Sequence, residues 1–284
     1  MIISVASGKG GTGKTTVSTN LAASLDRKLR LLDCDVEEPN VHLFIKPESL
    51  ESKVESTFIP VIDEDACTGC GECAKLCEFN ALAVIGKKVL VFPELCHSCL
   101  GCQMICPETA ISAGERELGT VETGTWKDIC FSYGRLRVGE AMSPPLIGRV
   151  QALIEPEELV VIDAPPGTSC PAIAAMKDSD FVLLVTEPTP FGLHDLKLTV
   201  EAVKQLGKPC GLVINRADIG NDDVYRYAEQ EGVPVLMEIP FERFIAELYS
   251  TGKLLVEASP EWRQKYRELF DKIVEISTPE EVAG

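Results

Sequence analysis

The stretch GKGGTGKT, residues 8–15, lies between an apolar run, IISVA at 2–6, and a helix-patterned segment, TTVSTNLAASL at 15–25. A strand, a glycine-rich loop and a helix in direct succession form a phosphate cradle. Gly8, Gly10, Gly11 and Gly13 let backbone N–H groups turn inward on an anion, and the helix N-terminus adds the favourable end of its dipole. In such a loop Lys14 reaches the terminal phosphates, the Thr15 hydroxyl ligates Mg²⁺, and Thr12 and Thr16 complete the binding stretch.

Outward from the loop, short apolar runs alternate with helical patterns: RLLDCD at 30–35, LVVIDA at 159–164, FVLLVTE at 181–187, CGLVIN at 210–215 and PVLMEIP at 234–240. This alternation predicts an α/β fold, a mostly parallel sheet with helices on both faces. A last helix is expected over 260–275, with Trp262, Tyr266, Leu269, Phe270 and Ile273 on one stripe. Its polar face mixes Glu261, Asp271, Arg263 and Lys265, so the stripe is expected to pack on the sheet and not on a membrane.

The 284 residues are 45% hydrophobic and 25% charged, enough for a substantial core. A net charge of −17 argues against nucleic acid, whose binding depends on clustered Lys and Arg. No basic leader with an apolar h-region opens the sequence, and no apolar run reaches the ~20 residues of a bilayer span. A cytoplasmic location without membrane insertion is expected.

Twelve cysteines are present, and eight fall within residues 67–106 as CTGCGECAKLCEF and CHSCLGCQMICPE. Cys67, Cys70, Cys73 and Cys77 have C-x₂-C-x₂-C-x₃-C spacing, and Cys96, Cys99, Cys102 and Cys106 repeat it 29 residues later. Between the runs, VIGKKVLVF reads as strand, turn, strand. Zinc favours paired C-x₂-C motifs over triplets, and disulfides suit an oxidising compartment, so both are set aside. A compact inserted unit of small α+β type is expected over 57–114, splitting the phosphate-binding domain into 1–56 and 115–284. After the insert, TVETG at 120–124 and ICFSYGRLRVG at 129–139 read as hairpin strands, and Pro144 and Pro145 suit a helix's first turn.

The cysteine segment resembles a bacterial two-cluster ferredoxin. That resemblance implies two [4Fe-4S] clusters, one held by Cys67, Cys70, Cys73 and Cys106, the other by Cys96, Cys99, Cys102 and Cys77. Glu78 departs from the proline usual after the fourth cysteine, without removing a ligand. His97 is placed to tune a cluster's potential. Cys34, Cys130 and Cys210 sit in expected strands as small buried residues.

With Lys9, the loop is similar to the deviant Walker A ATPases, the group of MinD, ParA and the nitrogenase iron protein. The resemblance implies ATP and Mg²⁺ as cofactors, and a dimer in which Lys9 crosses to the partner's phosphates. It assigns Asp35 to orienting the attacking water, Asp163 to Mg²⁺, Gly167 to switch II, Asn215 to the base and Pro240 to the adenine wall. Cys170 stands seven residues after Asp163, where the nitrogenase iron protein ligates a cluster across its dimer axis, but no matching second ligand precedes Asp163. The later half also lacks the C-x-x-C of the cluster-carrier branch. The expected function is an ATPase, homodimeric or paired with a related ATPase, whose nucleotide state gates electron transfer to a redox partner protein. The rivals are a factor delivering clusters to an apo-protein acceptor, and a positioning ATPase with the ferredoxin as a docking module.

Overall fold

The computed structural model describes residues 1–277. The chain opens with β1 (Ile2–Ala6), passes through the glycine loop into α1 (Lys14–Ser24) and returns as β2 (Leu29–Asp33). Next come β3 (Leu50–Ile62), α2 (Glu72–Leu76), β4 (Leu82–Ile85), β5 (Lys88–Val91), α3 (Gly101–Ile105), β6 (Ile111–Trp126) and β7 (Ile129–Leu136). Helices and strands then alternate: α4 (Pro144–Gln151), β8 (Val160–Asp163), α5 (Cys170–Met176), β9 (Phe181–Thr186), α6 (Pro190–Gln205), β10 (Cys210–Asn215), α7 (Asp223–Glu231) and β11 (Val235–Ile239). Three helices close the chain: α8 (Arg243–Ser250), α9 (Leu255–Ala258) and α10 (Pro260–Ser277).

One nine-stranded sheet runs in the order β11-β10-β9-β1-β8-β2-β7-β6-β3. From β11 to β7 all neighbours are parallel, while β6 and β3 continue the edge antiparallel. The parallel strands are covered on both faces, which is why they read as near-continuous apolar runs. On one face Ile3, Val5, Leu31 and Val161 pack with Val17 and Leu21 of α1 and with Trp262, Tyr266, Leu269 and Ile273 of α10. On the other, Leu32, Ile162, Leu184 and Leu212 meet Leu146, Ala175, Leu196 and Val224 from α4, α5, α6 and α7. Each fully buried aliphatic side chain contributes ~1.5–3 kcal/mol to this two-sided core. The C-terminal stripe therefore packs on the sheet, and its helix runs to Ser277.

Two sequence expectations are refined. β2 stops at Asp33, so Asp35 lies in the following loop. β6 does not begin near 120 but at Ile111, and it pairs with β3 from Ile62↔Ile111 back to Leu50↔Gly124. Because β7 pairs with β6 only from Gly119 onward, the far half of this ribbon, 56–62 with 111–117, leaves the sheet as an arm. The positions 56/57 and 114/115 fall inside these continuous strands. A bulge between Glu55 and Ser56 lets Leu118 stand unpaired, and its side chain is buried against the α4 face of the sheet.

The arm carries the cysteine segment. Helices α2 and α3 are related by the 29-residue repeat, as are three pairs of left-handed residues: Gly69 and Ser98 (φ 72 and 56), Gly71 and Leu100 (φ 80 and 64), Asn80 and Thr109 (φ 53 and 53). The β4–β5 hairpin joins the two halves.

Candidate functional site

The strand order brings the phosphate-loop end together. β1 lies beside β8, and β8 beside β2, in a register that sets Val5 opposite Asp163 and Asp33 opposite Asp163. The loop thus leaves β1 beside β8 and β2, two neighbouring strands that each end in a carboxylate. Gly13 has φ 99, and a Cβ there would stand 2.5 Å from the Asn215 amide nitrogen, so both conformation and space require glycine.

A cleft of about 400 Å³ opens at this edge. Gly10, Gly11, Gly13, Lys14, Thr15, Thr16, Asp35, Asn215 and Pro240 line it. Gly8, Lys9, Thr12 and Asp163 do not. Gly8 is pressed against the Asp195 backbone, Thr12 is buried under the loop, and Asp163 lies beneath Thr15. Sequence reading missed Asn40, Arg216, Phe241 and Tyr249, which complete the walls. Arg216 and Phe241 each had a neighbour that pointed to them, Asn215 and Pro240; Arg216 lies over the Phe241 ring, 5.6 Å from the centroid. Asn215 does not face the cleft freely: its amide donates to the Thr12 carbonyl at 2.8 Å.

Beneath the cleft, Thr15 Oγ1 stands 2.7 Å from Asp163 Oδ2 and 2.8 Å from Asn40 Oδ1. One hydroxyl proton serves only one of these acceptors, and Asp163 Oδ1 is buried with no partner. Acceptors outnumber donors here, which is the environment a divalent cation relieves. Asp33 has a different task. Its carboxylate accepts from the backbone N–H groups of Asp35 at 3.0 Å, Asn40 at 2.9 Å and Val41 at 3.0 Å, clamping the 34–41 loop onto β2. Burial first, then Asp163, pushes the Asp33 carboxyl well up, and burial does the same to Asp163. Asp35 is pushed up to about 6 by burial, opposed by the Lys14 ammonium. Lys9 pairs within its own chain, 3.8 Å from Glu187, which also holds Arg216 at 3.0 Å.

The arm holds two further cavities. One is lined by Cys67, Cys70, Cys73 and Cys106 with apolar Ile62, Val89 and Ile111. The other is lined by Cys77, Cys96, Cys99 and Cys102 with Phe58, Pro60 and Leu82. In each, three cysteines come from one run and the fourth from the other. Phe58, Pro60 and Ile62 alternate along β3, so one face of the ribbon backs both cavities. The second cavity is thus nearer the sheet and the first nearer the tip.

Backbone N–H groups reach the sulfurs: Ala81 to Cys77 and Ala110 to Cys106, both at 3.3 Å, and Ser98 to Cys96 at 3.5 Å. Burial pushes the thiols of Cys73 and Cys102 up. Four thiols, N–H donors aimed at sulfur and dry walls fit a cluster held by thiolates. Among the described residues no group of His, Cys, Asp or Glu is set to hold a single metal ion. A cubane's four thiolates bind four different irons, so they stand farther apart than ligands of one ion. His97 stacks on Phe79 at the rim, with ring centroids 3.4 Å apart. None of the twelve cysteines is in a disulfide; Cys34 is buried, and Cys170 is exposed at the start of α5.

A profile of the CobQ/CobB/MinD/ParA nucleotide binding domain matches residues 3–256. The chain belongs to this family. An uncharacterized protein of Methanocaldococcus jannaschii is 30% identical, covering 97% of each chain. An iron-sulfur cluster carrier protein of the same organism is 23% identical over 96% of this chain and 83% of its own. Among solved structures, the septum site-determining protein MinD of Pyrococcus horikoshii, complexed with Mg-ADP, superposes with a TM-score of 0.60 at 22% identity, covering 98% of both chains. The α/β fold is therefore MinD-like, and ATPase activity is what the family supports. Among the described residues no helix is long and apolar enough to cross a membrane.

Proposed function

We propose that the chain is an ATP-hydrolysing iron-sulfur protein in which a nucleotide-switched dimer gates electron transfer through two [4Fe-4S] clusters held in its arm. The observation that carries this reading is the crossed arrangement of eight cysteines around two cavities, on strands continuous with the ATPase sheet. Cys67, Cys70, Cys73 and Cys106 would hold one cluster, and Cys77, Cys96, Cys99 and Cys102 the other. When bound, such clusters supply one-electron chemistry at potentials set by N–H···S bonds and exposure. Free thiols in this number suit a reducing compartment such as the cytoplasm.

In the cleft, the glycine loop and Lys14 position the phosphates, while Thr15 and Asp163 would hold Mg²⁺. Asp35 orients water toward the terminal phosphate, and the Asp33 clamp fixes the loop that carries it. Asn215 and Pro240, with Phe241, form the wall for the base. Lys9 lies outside the cleft of its own chain and would exchange Glu187 for the phosphates of a second copy. Charge neutralisation by prepositioned groups then accounts for hydrolysis.

The test is iron and acid-labile sulfide content of anaerobically purified protein, with electron paramagnetic resonance after reduction. Two four-iron signals are expected, with Cys106→Ser removing the one assigned to the Cys67, Cys70 and Cys73 run. Zinc in place of iron, or iron bound equally in the absence of all eight thiols, would overturn the reading. Cluster delivery is a second reading, supported by the likeness to a cluster carrier and by the exposure of Cys70 and Cys99. It predicts transfer to an apo-protein acceptor on the timescale of hydrolysis, whereas electron gating predicts retention.

A further inference from the structure

Between the cleft and the arm, a short segment, 136–143, touches both. The Leu136 N–H donates to the Val36 carbonyl at 2.8 Å, and the Ser143 hydroxyl to Glu37 at 2.9 Å; Val36 and Glu37 belong to the loop that begins with Asp35. On its other side, Glu140 meets the guanidinium of Arg116. Nη2 of Arg116 lies 3.2 Å from Glu140 Oε1, and Nη1 pairs with Oε2. This pair is nearly dry, with side-chain exposures of 9% for Arg116 and 1% for Glu140. Nη2 also donates to the Cys96 carbonyl at 3.4 Å, and Glu94 approaches Nη1 at 3.6 Å.

Arg116 thus touches the first cysteine of the second run, in the cavity nearer the sheet. The other cavity is anchored elsewhere: among the described residues its first cysteine, Cys67, donates its N–H to the Asp63 carbonyl at the arm's tip, at 3.0 Å. A buried ion pair between a strand and a neighbouring loop is a poor device for stability, because desolvation offsets most of its attraction. It is a good device for register: the guanidinium's planar fork fixes direction, and a shift of Glu140 cannot be ignored when no water is available to replace it.

We infer that Arg116 is a positioning residue that transmits the nucleotide state of the 35–41 loop, through Glu140, to the Cys96 turn, and that the arm's outer cavity is left outside this coupling. The inference rests on the proposed function only where it treats the Cys77, Cys96, Cys99 and Cys102 cavity as a redox centre. The mechanical part, cleft to Cys96 turn, stands without it. Coupling of this kind is reciprocal, so a change at the Cys96 turn must alter nucleotide affinity by the same factor.

Hydrogen–deuterium exchange on the full chain, without nucleotide and with MgADP or a non-hydrolysable ATP analogue, tests it. In the wild type, the analogue is expected to change exchange at 35–41, at 136–143 and at 94–98. In the double variant Arg116→Met with Glu140→Leu, which leaves no unpaired buried charge, the first two changes remain and the third is lost. Arg116→Lys keeps the attraction to Glu140 but not the second nitrogen on Cys96, so its change at 94–98 is expected to fall at least twofold; it carries the test if the double variant does not fold. A 94–98 segment that ignores nucleotide in the wild type, or responds equally in the variants, overturns the inference. Absence of iron from a chain that still shows the relay would instead remove the proposed function and leave the coupling intact.

Discussion

Asp35 and its neighbours show what a nucleotide site costs a protein at rest. Three carboxylates, Asp33, Asp35 and Asp163, converge under the loop, and the Lys14 ammonium opposes the upward push on Asp35 and Asp163. Asp35 keeps its proton to about pH 6 in the folded chain, against the ordinary carboxyl value of 3.8 it regains when unfolded. Between those two values the unfolded chain binds fewer protons than the folded one, so stability falls as pH rises through the window and stays lowered above it. Replacing Asp35→Asn should therefore stabilise the nucleotide-free chain by about 1–2 kcal/mol above pH 6, after discounting for partial exposure, and by almost nothing near pH 4. The same change should slow hydrolysis on the order of 100-fold if Asp35 has the water-orienting role proposed for it. Denaturant midpoints at several pH values check the first claim; an Asn variant that is less stable at every pH would contradict it. The loop residues of this site were legible in the sequence because phosphate binding demands glycines at fixed spacing. Asn40 and Tyr249 were not, because nothing in EEPN or in an amphipathic helix marks a side chain for the cleft.

The ribbon of β3 and β6 is the element that joins the two chemistries, and it was the least legible. Strands in the parallel sheet announce themselves as apolar runs because both faces are buried. The stretch LESKVESTFIPVI is exposed over its first five residues and only half-buried over most of the rest, so it lacks the alternation by which a strand is recognised. The arm's cysteines, in contrast, were readable from spacing alone, since the 29-residue repeat survives as paired helices and paired left-handed residues. Register in the ribbon depends on the bulge at Leu118. Deleting Leu118 removes the extra residue, and with it the local bend and added twist with which the Phe58 and Pro60 half of the ribbon leaves the sheet. The expected outcome is loss of iron from the Cys77, Cys96, Cys99 and Cys102 cavity, a stability loss of ~2–4 kcal/mol from the vacated core site, and unchanged ATP affinity. Full iron content in that deletion, measured beside nucleotide affinity, would show that the ribbon does not set the cavity.

At the scale of the molecule, the chain is a two-faced ATPase sheet whose edge hairpin has grown into an arm. The composition spoke to this only by exclusion: a net charge of −17 leaves little to attract a polyanion, and it would make the proposed association of two copies through their nucleotide faces salt-sensitive. Lys9→Ala should leave nucleotide affinity within about twofold, because Lys9 is outside its own cleft, and should lower turnover by about tenfold or more at concentrations where the dimer forms. Undiminished turnover, followed by phosphate release across a range of protein concentration, would remove the role in trans. The central claim, that the nucleotide state reaches the arm, is tested most directly by the reduction potentials of both clusters in anaerobically purified protein, taken without nucleotide, with MgADP and with a non-hydrolysable ATP analogue. The expected result is a shift of at least tens of millivolts in one potential, where about 59 mV corresponds to a tenfold change for one electron, with the other nearly fixed. Identical potentials in all three states would contradict it.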